Sequence, residues 1–287
     1  MTAERPVVEP VIEEIRLPDG TVTPLRVTVD YPDRPIMVLW PGLGVPAGYF
    51  DLFAAHCGRL GVNVVVGDLR GQGGSRPRPT AASRFGHHAL ASEDIPAAIE
   101  VARRYCPSAP LYVAGHSMGG HIASMFVARN AVRHDHDVAG LVLIASGVPH
   151  WKLYRGGMGV LATVGPPAMH RVSKTLGYWP GTAIEGYGRQ SRVLIRDWTY
   201  LNRHGRFSPR GADVDYEQAM ATMEMPVCAV TVGADTDAPP RVMRALTSKF
   251  TRCDVAAHHI PAPLGHNGWA RDPRAPEVVT RWIADVR

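Results

Sequence analysis

The segment from Leu111 to Gly119 constrains this chain more than any other. An apolar run, Leu111-Tyr-Val-Ala114, leads directly into Gly115-His116-Ser117-Met118-Gly119, and a helical stretch from Met118 to Asn130 follows. A strand that turns into a helix without a loop forces the corner residue into a sparsely populated backbone conformation. Side chains two positions to either side would collide, so Gly115 and Gly119 support the corner by being small. The corner presents a serine hydroxyl at the top of a sheet, beside the N–H groups of a helix N-terminus. Ser117 is therefore the candidate nucleophile.

Other apolar runs surround this corner. Ile36 to Trp40, Val62 to Gly67, Leu141 to Ala145, Cys228 to Val232 and Val255 to Ile260 are continuous rather than alternating. That is the pattern of strands buried on both faces. Helical stretches lie between and after them, over Tyr49 to Leu60, Glu93 to Tyr105 and Pro276 to Val286. In the second of these, Ile95, Ile99, Val101 and Ala102 fall at helical spacing. Alternation of this kind predicts an α/β fold, a mostly parallel, doubly wound sheet of about eight strands. At the start, Val11 to Leu17 and Thr21 to Tyr31 alternate apolar and polar residues around Pro18-Asp19-Gly20, which predicts an antiparallel hairpin on the sheet.

The rhythm breaks once. About eighty residues separate the strand ending near Ser146 from the one starting near Val227, far more than a crossover needs. The stretch predicts a helical lid insertion over 152–225 in a core made of 1–151 and 226–287. Its Leu153, Tyr154, Met158, Leu161, Met169, Tyr178 and Trp179 suit either an apolar acyl pocket or a small core of the insertion's own.

Composition narrows the function classes. The 287 residues are 45% hydrophobic and 20% charged, with no apolar stretch long enough to cross a membrane. The start of the chain lacks a charged leader followed by an apolar block, so no secretory signal is read. Cys57, Cys106, Cys228 and Cys253 are too widely spaced for a metal pattern and too few for a disulfide scaffold. Free thiols in a reducing cytoplasm are the expectation. The net charge is +5, yet the basic residues are scattered arginines without a run, which argues against nucleic acid. Most of the excess sits in the insertion, where ten basic residues face six acids, Glu185 among them. That surplus suits a solvated face, an anionic substrate or peripheral contact with an anionic membrane.

A serine hydroxyl needs a base, and the base needs an orienting acid. In a sheet of this type they follow the nucleophile in the order acid, then histidine. After the run Cys228 to Val232 come Asp235 and Asp237; Asp235 is the first choice and Asp237 the second. After the last strand comes Gly265-His266-Asn267, where a glycine lets the imidazole swing toward Ser117. Of thirteen histidines, His87 and His88 read as surface residues and His116 as support for the corner. His134 and His136 lack a third partner at metal-binding spacing, so no metal site is expected. An oxyanion requires two N–H donors. Met118, directly after the nucleophile, supplies one; the loop Pro41-Gly42-Leu43-Gly44 supplies the other, from Leu43 or, second, Gly44.

These motifs resemble the α/β-hydrolase fold serine hydrolases. Asp68-Leu-Arg70-Gly71-Gln-Gly73-Gly74-Ser75 is similar to the Asp-x-Arg-Gly-x-Gly-x-Ser loop common in that superfamily. Pro41 to Phe50, Asp235 to Pro239 and Gly265 to Arg271 resemble a poorly characterised bacterial branch of esterase- and lipase-like hydrolases. The resemblance covers nearly the whole chain outside 152–225, and Pro41-Gly42 departs from the His-Gly of many relatives. It implies a catalytic triad of Ser117, Asp235 and His266 acting through an acyl-enzyme on a carboxylic ester, with no cofactor. Thioesterase, lysophospholipase-like lipid hydrolysis and non-catalytic ligand binding are the alternatives.

Overall fold

The computed structural model describes residues 9–181 and 188–286. Glu185 and residues 1–8, on which the reading of no secretory signal rests, lie outside the described residues. Eight strands form one sheet: β1 (Val11–Arg16), β2 (Val22–Thr28), β3 (Ile36–Trp40), β4 (Asn63–Gly67), β5 (Leu111–His116), β6 (Gly140–Ile144), β9 (Pro226–Val232) and β10 (Asp254–Ile260). Between β6 and β9 a small hairpin pairs β7 (Tyr178–Trp179) with β8 (Gln190–Ser191). The order across the sheet is β1-β2-β4-β3-β5-β6-β9-β10. β1 and β2 run antiparallel, β2 is antiparallel to β4, and all other neighbours are parallel. The α/β-hydrolase sheet read from the sequence is therefore present, with its edge hairpin.

The continuous apolar runs resolve into two cores because successive strand residues face opposite sides. Ile36, Val38, Leu111, Val113, Leu141 and Leu143 face one layer. Met37, Leu39, Tyr112, Ala114, Val142 and Ile144 face the other. The second layer packs under α1 (Asp51–Arg59) and the terminal α10 (Arg274–Asp285). The first packs under α3 (Ile95–Tyr105) and α4 (Met118–Arg133). A short turn of helix, α2 (His87–Ala89), precedes α3.

The stretch after β6 holds more regular helix than its composition suggests. α5 (Gly156–Leu176) runs for 21 residues despite Pro166 and Pro167 in its interior. α6 (Arg192–His204) packs on α5. Met169, Trp179 and Ile195 make a separate small core there. α7 (Tyr216–Thr222) packs on α4, and Tyr216 and Met220 join the main core. The chain then returns to β9, α8 (Pro240–Thr247), β10 and the short α9 (Gly265–Gly268). Among the described residues no helix is long and apolar enough to cross a membrane. All four cysteines are free, and all but Cys253 are buried.

Candidate active site

Ser117 occupies the corner between β5 and α4 with φ 53° and ψ −121°, a region that residues with a Cβ rarely visit. Three bonds hold the corner. The Ser117 N–H donates to the Ile144 carbonyl at 3.3 Å, and the Ser117 carbonyl accepts from the Gly120 N–H at 3.0 Å and the Ser146 hydroxyl at 2.7 Å. A Cβ on Gly115 would strike the backbone of Gly119 and Gly120, and one on Gly119 would strike the Trp40 carbonyl. That close approach is what demands glycine at both positions.

The loop after β9 delivers Asp235 and the loop after β10 delivers His266. Gly265, at φ 63°, sets the reversal that aims the imidazole. His266 Nε2 lies 2.8 Å from Ser117 Oγ. Its Nδ1 lies 3.0 Å and 3.1 Å from the two carboxylate oxygens of Asp235. The buried Asp235 carboxylate also accepts the N–H groups of Asp237 and Ala238, each at 2.9 Å. These bonds fix the acid's rotamer, and the acid in turn fixes the imidazole. Asp237 is exposed, and its carbonyl accepts from the Tyr154 hydroxyl at 2.7 Å. Asp235, Asp237 and His266 bring three metal-ligand atoms within 4.8 Å of one another, but Asp235 and His266 already bond each other.

The loop after β3 faces the corner. Gly42 donates its N–H to His116 Nδ1 at 3.2 Å, and Gly44 donates to Gln72 Oε1 at 2.6 Å. Leu43, between them, lines the pocket beside Met118. Neither the Leu43 nor the Met118 N–H has a hydrogen-bond partner among the described residues. The sequence places Leu43 and Gly44 as alternatives; Gln72 engages the Gly44 N–H and leaves that of Leu43. Asp68 ties the same loop down, accepting from the Ala47 N–H at 2.7 Å and the Gly74 N–H at 2.8 Å. Arg70 is buried in a knot with Asp94, Glu93 and Asp19.

His116 joins two of these loops. Its Nδ1 accepts from Gly42, and its Nε2 donates to the carbonyl of His266 at 3.1 Å. Burial, with His266 next to it, holds this imidazole well below the usual histidine range, so it stays neutral. The sequence offers it as a support for the corner; that it spans from the oxyanion loop to the base loop is visible only in three dimensions. His87 departs from the surface position the sequence suggests. It is buried against His121, with both ring nitrogens unpartnered among the described residues, and burial lowers it to about 3.

A pocket of about 550 Å³ opens over Ser117 and His266. Tyr154, Met158, Leu161 and Met169 line it from above, with Trp198 on α6. Met169 also belongs to the small core of that region, and Trp179 to that core alone, so the two uses foreseen are divided among these residues. The arrangement offers a hydroxyl within hydrogen-bond reach of an imidazole, two N–H donors and a largely apolar cavity.

A family model described as serine aminopeptidase, S33, matches residues 31–197. The chain belongs to this family of α/β-hydrolases. No curated protein matches the hydrolase. Among solved structures it is similar to a soluble variant of monoglyceride lipase from Saccharomyces cerevisiae, at 14% identity and a TM-score of 0.71, over 97% of this chain and 96% of that one. A bacterial membrane phospholipase A described as a virulence factor aligns at 17% identity and a TM-score of 0.63, over 97% and 87%. Est1E from Butyrivibrio proteoclasticus, bound to ferulic acid, aligns at 15% and 0.59, over 93% and 94%. At these identities the likeness concerns the fold.

Proposed function

We propose that the hydrolase cleaves a carboxylic ester through an acyl-enzyme, with Ser117 as nucleophile. The observation that carries this reading is the continuous contact from Ser117 Oγ through the His266 imidazole to Asp235. In the forward step His266 Nε2 takes the Ser117 proton as Oγ attacks the carbonyl carbon. Asp235 holds the Nδ1–H tautomer and offsets the charge of the imidazolium. The Leu43 and Met118 N–H groups receive the oxyanion; removing one such donor typically costs about 3 kcal/mol. His266 then protonates the leaving alcohol and activates a water that releases the acid. No cofactor enters the scheme. The insertion over 152–225 serves as a lid on a core of 1–151 and 226–287, and a small-molecule acyl substrate enters beneath it. Buried free thiols fit a reducing cytoplasm.

The test is a p-nitrophenyl ester series from acetyl to palmitoyl, with matched thioesters and lysophospholipids, alongside fluorophosphonate labelling. Ser117→Ala is expected to lose labelling and at least about 10⁴-fold in turnover. Preference for thioester or lysophospholipid would reassign the leaving group. A folded wild type that neither labels nor turns over any member would overturn the hydrolytic reading in favour of ligand binding.

A further inference from the structure

Among the described residues, five of the eleven exposed large hydrophobic residues lie on one helix. On α5, Val160 is 66% exposed, Leu161 59%, Val164 60%, Val172 39% and Leu176 49%. Leu161, Val164, Ala168, Val172 and Leu176 recur every three or four residues, so they form one stripe along the helix. Ala168 is exposed as well. A stripe that long on one outward face is not the scatter expected of a soluble surface.

The charges beside the stripe have one sign. From Gly156 to Leu176 there is no Asp or Glu. Arg155, Arg171 and Lys174 are exposed on the same element or at its start. His170 on α5 is lowered by burial and by Arg196, Lys174 and Arg192, which places those cations around the second half of the helix. Leu161 belongs to the stripe and also lines the pocket over Ser117. The exposed apolar face is thus continuous with the entrance to the site.

We infer that the exposed face of α5 docks the protein onto an anionic lipid bilayer, with the Val160–Leu176 stripe in the interface and the Arg155, Arg171 and Lys174 side chains on the headgroups. The charge decides the occupant. Anionic headgroups complement a helix that carries cations and no acid, whereas a second copy docked through the same face would bring only like charges to the contact. Continuity with the pocket agrees: a bilayer against Leu161 offers acyl chains to the site, while a protein partner there would cap it. Docking makes no use of the Ser117 hydroxyl, so it stands or falls apart from the hydrolytic reading.

Vesicle sedimentation tests this, with phosphatidylcholine alone and with phosphatidylglycerol added. The expected result is binding at least about tenfold tighter to the anionic vesicles, weakening several-fold as salt rises from low to high. Val164→Asp with Val172→Asp should reduce that binding at least about tenfold, and Arg171→Glu with Lys174→Glu by a similar factor. All four positions are exposed, so turnover of a soluble acetyl ester by these variants should stay within twofold of wild type. Ser117→Ala should bind vesicles as wild type does. Absence of binding by the folded wild type would overturn the inference, as would binding that survives both double variants. So would a concentration-dependent dimer that Val164→Asp dissolves in a protein that ignores vesicles, since the occupant would then be a second copy.

Discussion

The loops around Ser117 and the helix above them are built to different tolerances. Below, close approaches and hydrogen bonds fix each piece: the Gly119 backbone against Trp40, the Gly42 and Gly44 N–H groups held by side chains, Asp235 bonded by two N–H groups and an imidazole. Above, α5 rests on a core of three buried residues and exposes most of one face. The sheet edge supplies the precision that the proposed proton transfer needs, within tenths of an ångström. The helix has only to shape and cover a cavity, a task many side chains can perform.

Substitutions that probe one region at a time sharpen that contrast. The largest stability effect is expected at Gly119→Ala, because the new methyl meets a backbone carbonyl that cannot move. A loss of at least about 3 kcal/mol, read as a fall in the denaturant midpoint or in soluble yield, is expected. A mild outcome would mean that the corner relaxes and that its precision is overstated.

His116→Phe comes next. It keeps the ring's volume but removes both bonds, freeing the Gly42 N–H and the His266 carbonyl. We expect kcat to fall about 10- to 100-fold with KM within about threefold, the signature of a lost transition-state alignment. His116→Gln, which can accept at one end and donate at the other, should recover part of the loss. A purely structural role would lower the melting temperature instead and leave kcat near wild type.

His87 gives an intermediate effect with a definite sign. Its imidazole, lowered from 6.5 to about 3 by burial and then by His121, stays neutral in the fold while the unfolded chain takes up a proton. The unfolded state therefore binds more protons between those values, so stability is present above pH 6.5 and is lost as pH falls. His87→Phe removes an unpartnered buried ring and should lessen the loss of stability between pH 7 and pH 5 by up to about 2 kcal/mol. Chemical denaturation at both pH values measures it; an unchanged acid slope would show that His87 finds a partner in solution.

The smallest effect belongs to Gly157→Ala in α5. A methyl there meets nothing within 4 Å, so the change should stabilise the helix by up to about 1 kcal/mol. A cost comparable to that at Gly119 would erase the contrast between the two regions.

What the sequence discloses follows the same division. Strands β3, β4, β5, β6 and β9 are legible because residues buried on both faces leave continuous apolar runs. β1 and β2 are legible from their alternation, and β10, read as a strand buried on both faces, is instead a half-exposed edge strand. Ser117, Asp235 and His266 are legible because each follows such a run at a strand's end. The 21-residue α5 is hidden by Pro166-Pro167, a pair that argues against any helix. His116 as a bridge is hidden by distance, since its partners lie 74 and 150 residues away. His87 is hidden because the residues that cover it come from other parts of the chain, including His121 on α4.

The proline pair divides α5 unequally. Its buried residues, Pro166, Met169 and Ser173, all fall at or after the pair, and none falls in the ten residues before it. Those ten include Met158, Leu161 and Ala162, which line the pocket. The first half thus lines the pocket without being anchored, while the anchored half reaches the pocket only through Pro166 and Met169. Substitutions in the first half can therefore reshape the cavity while the second half keeps its seat. A library randomised at these positions should retain folded members at a higher frequency than one randomised at the corner.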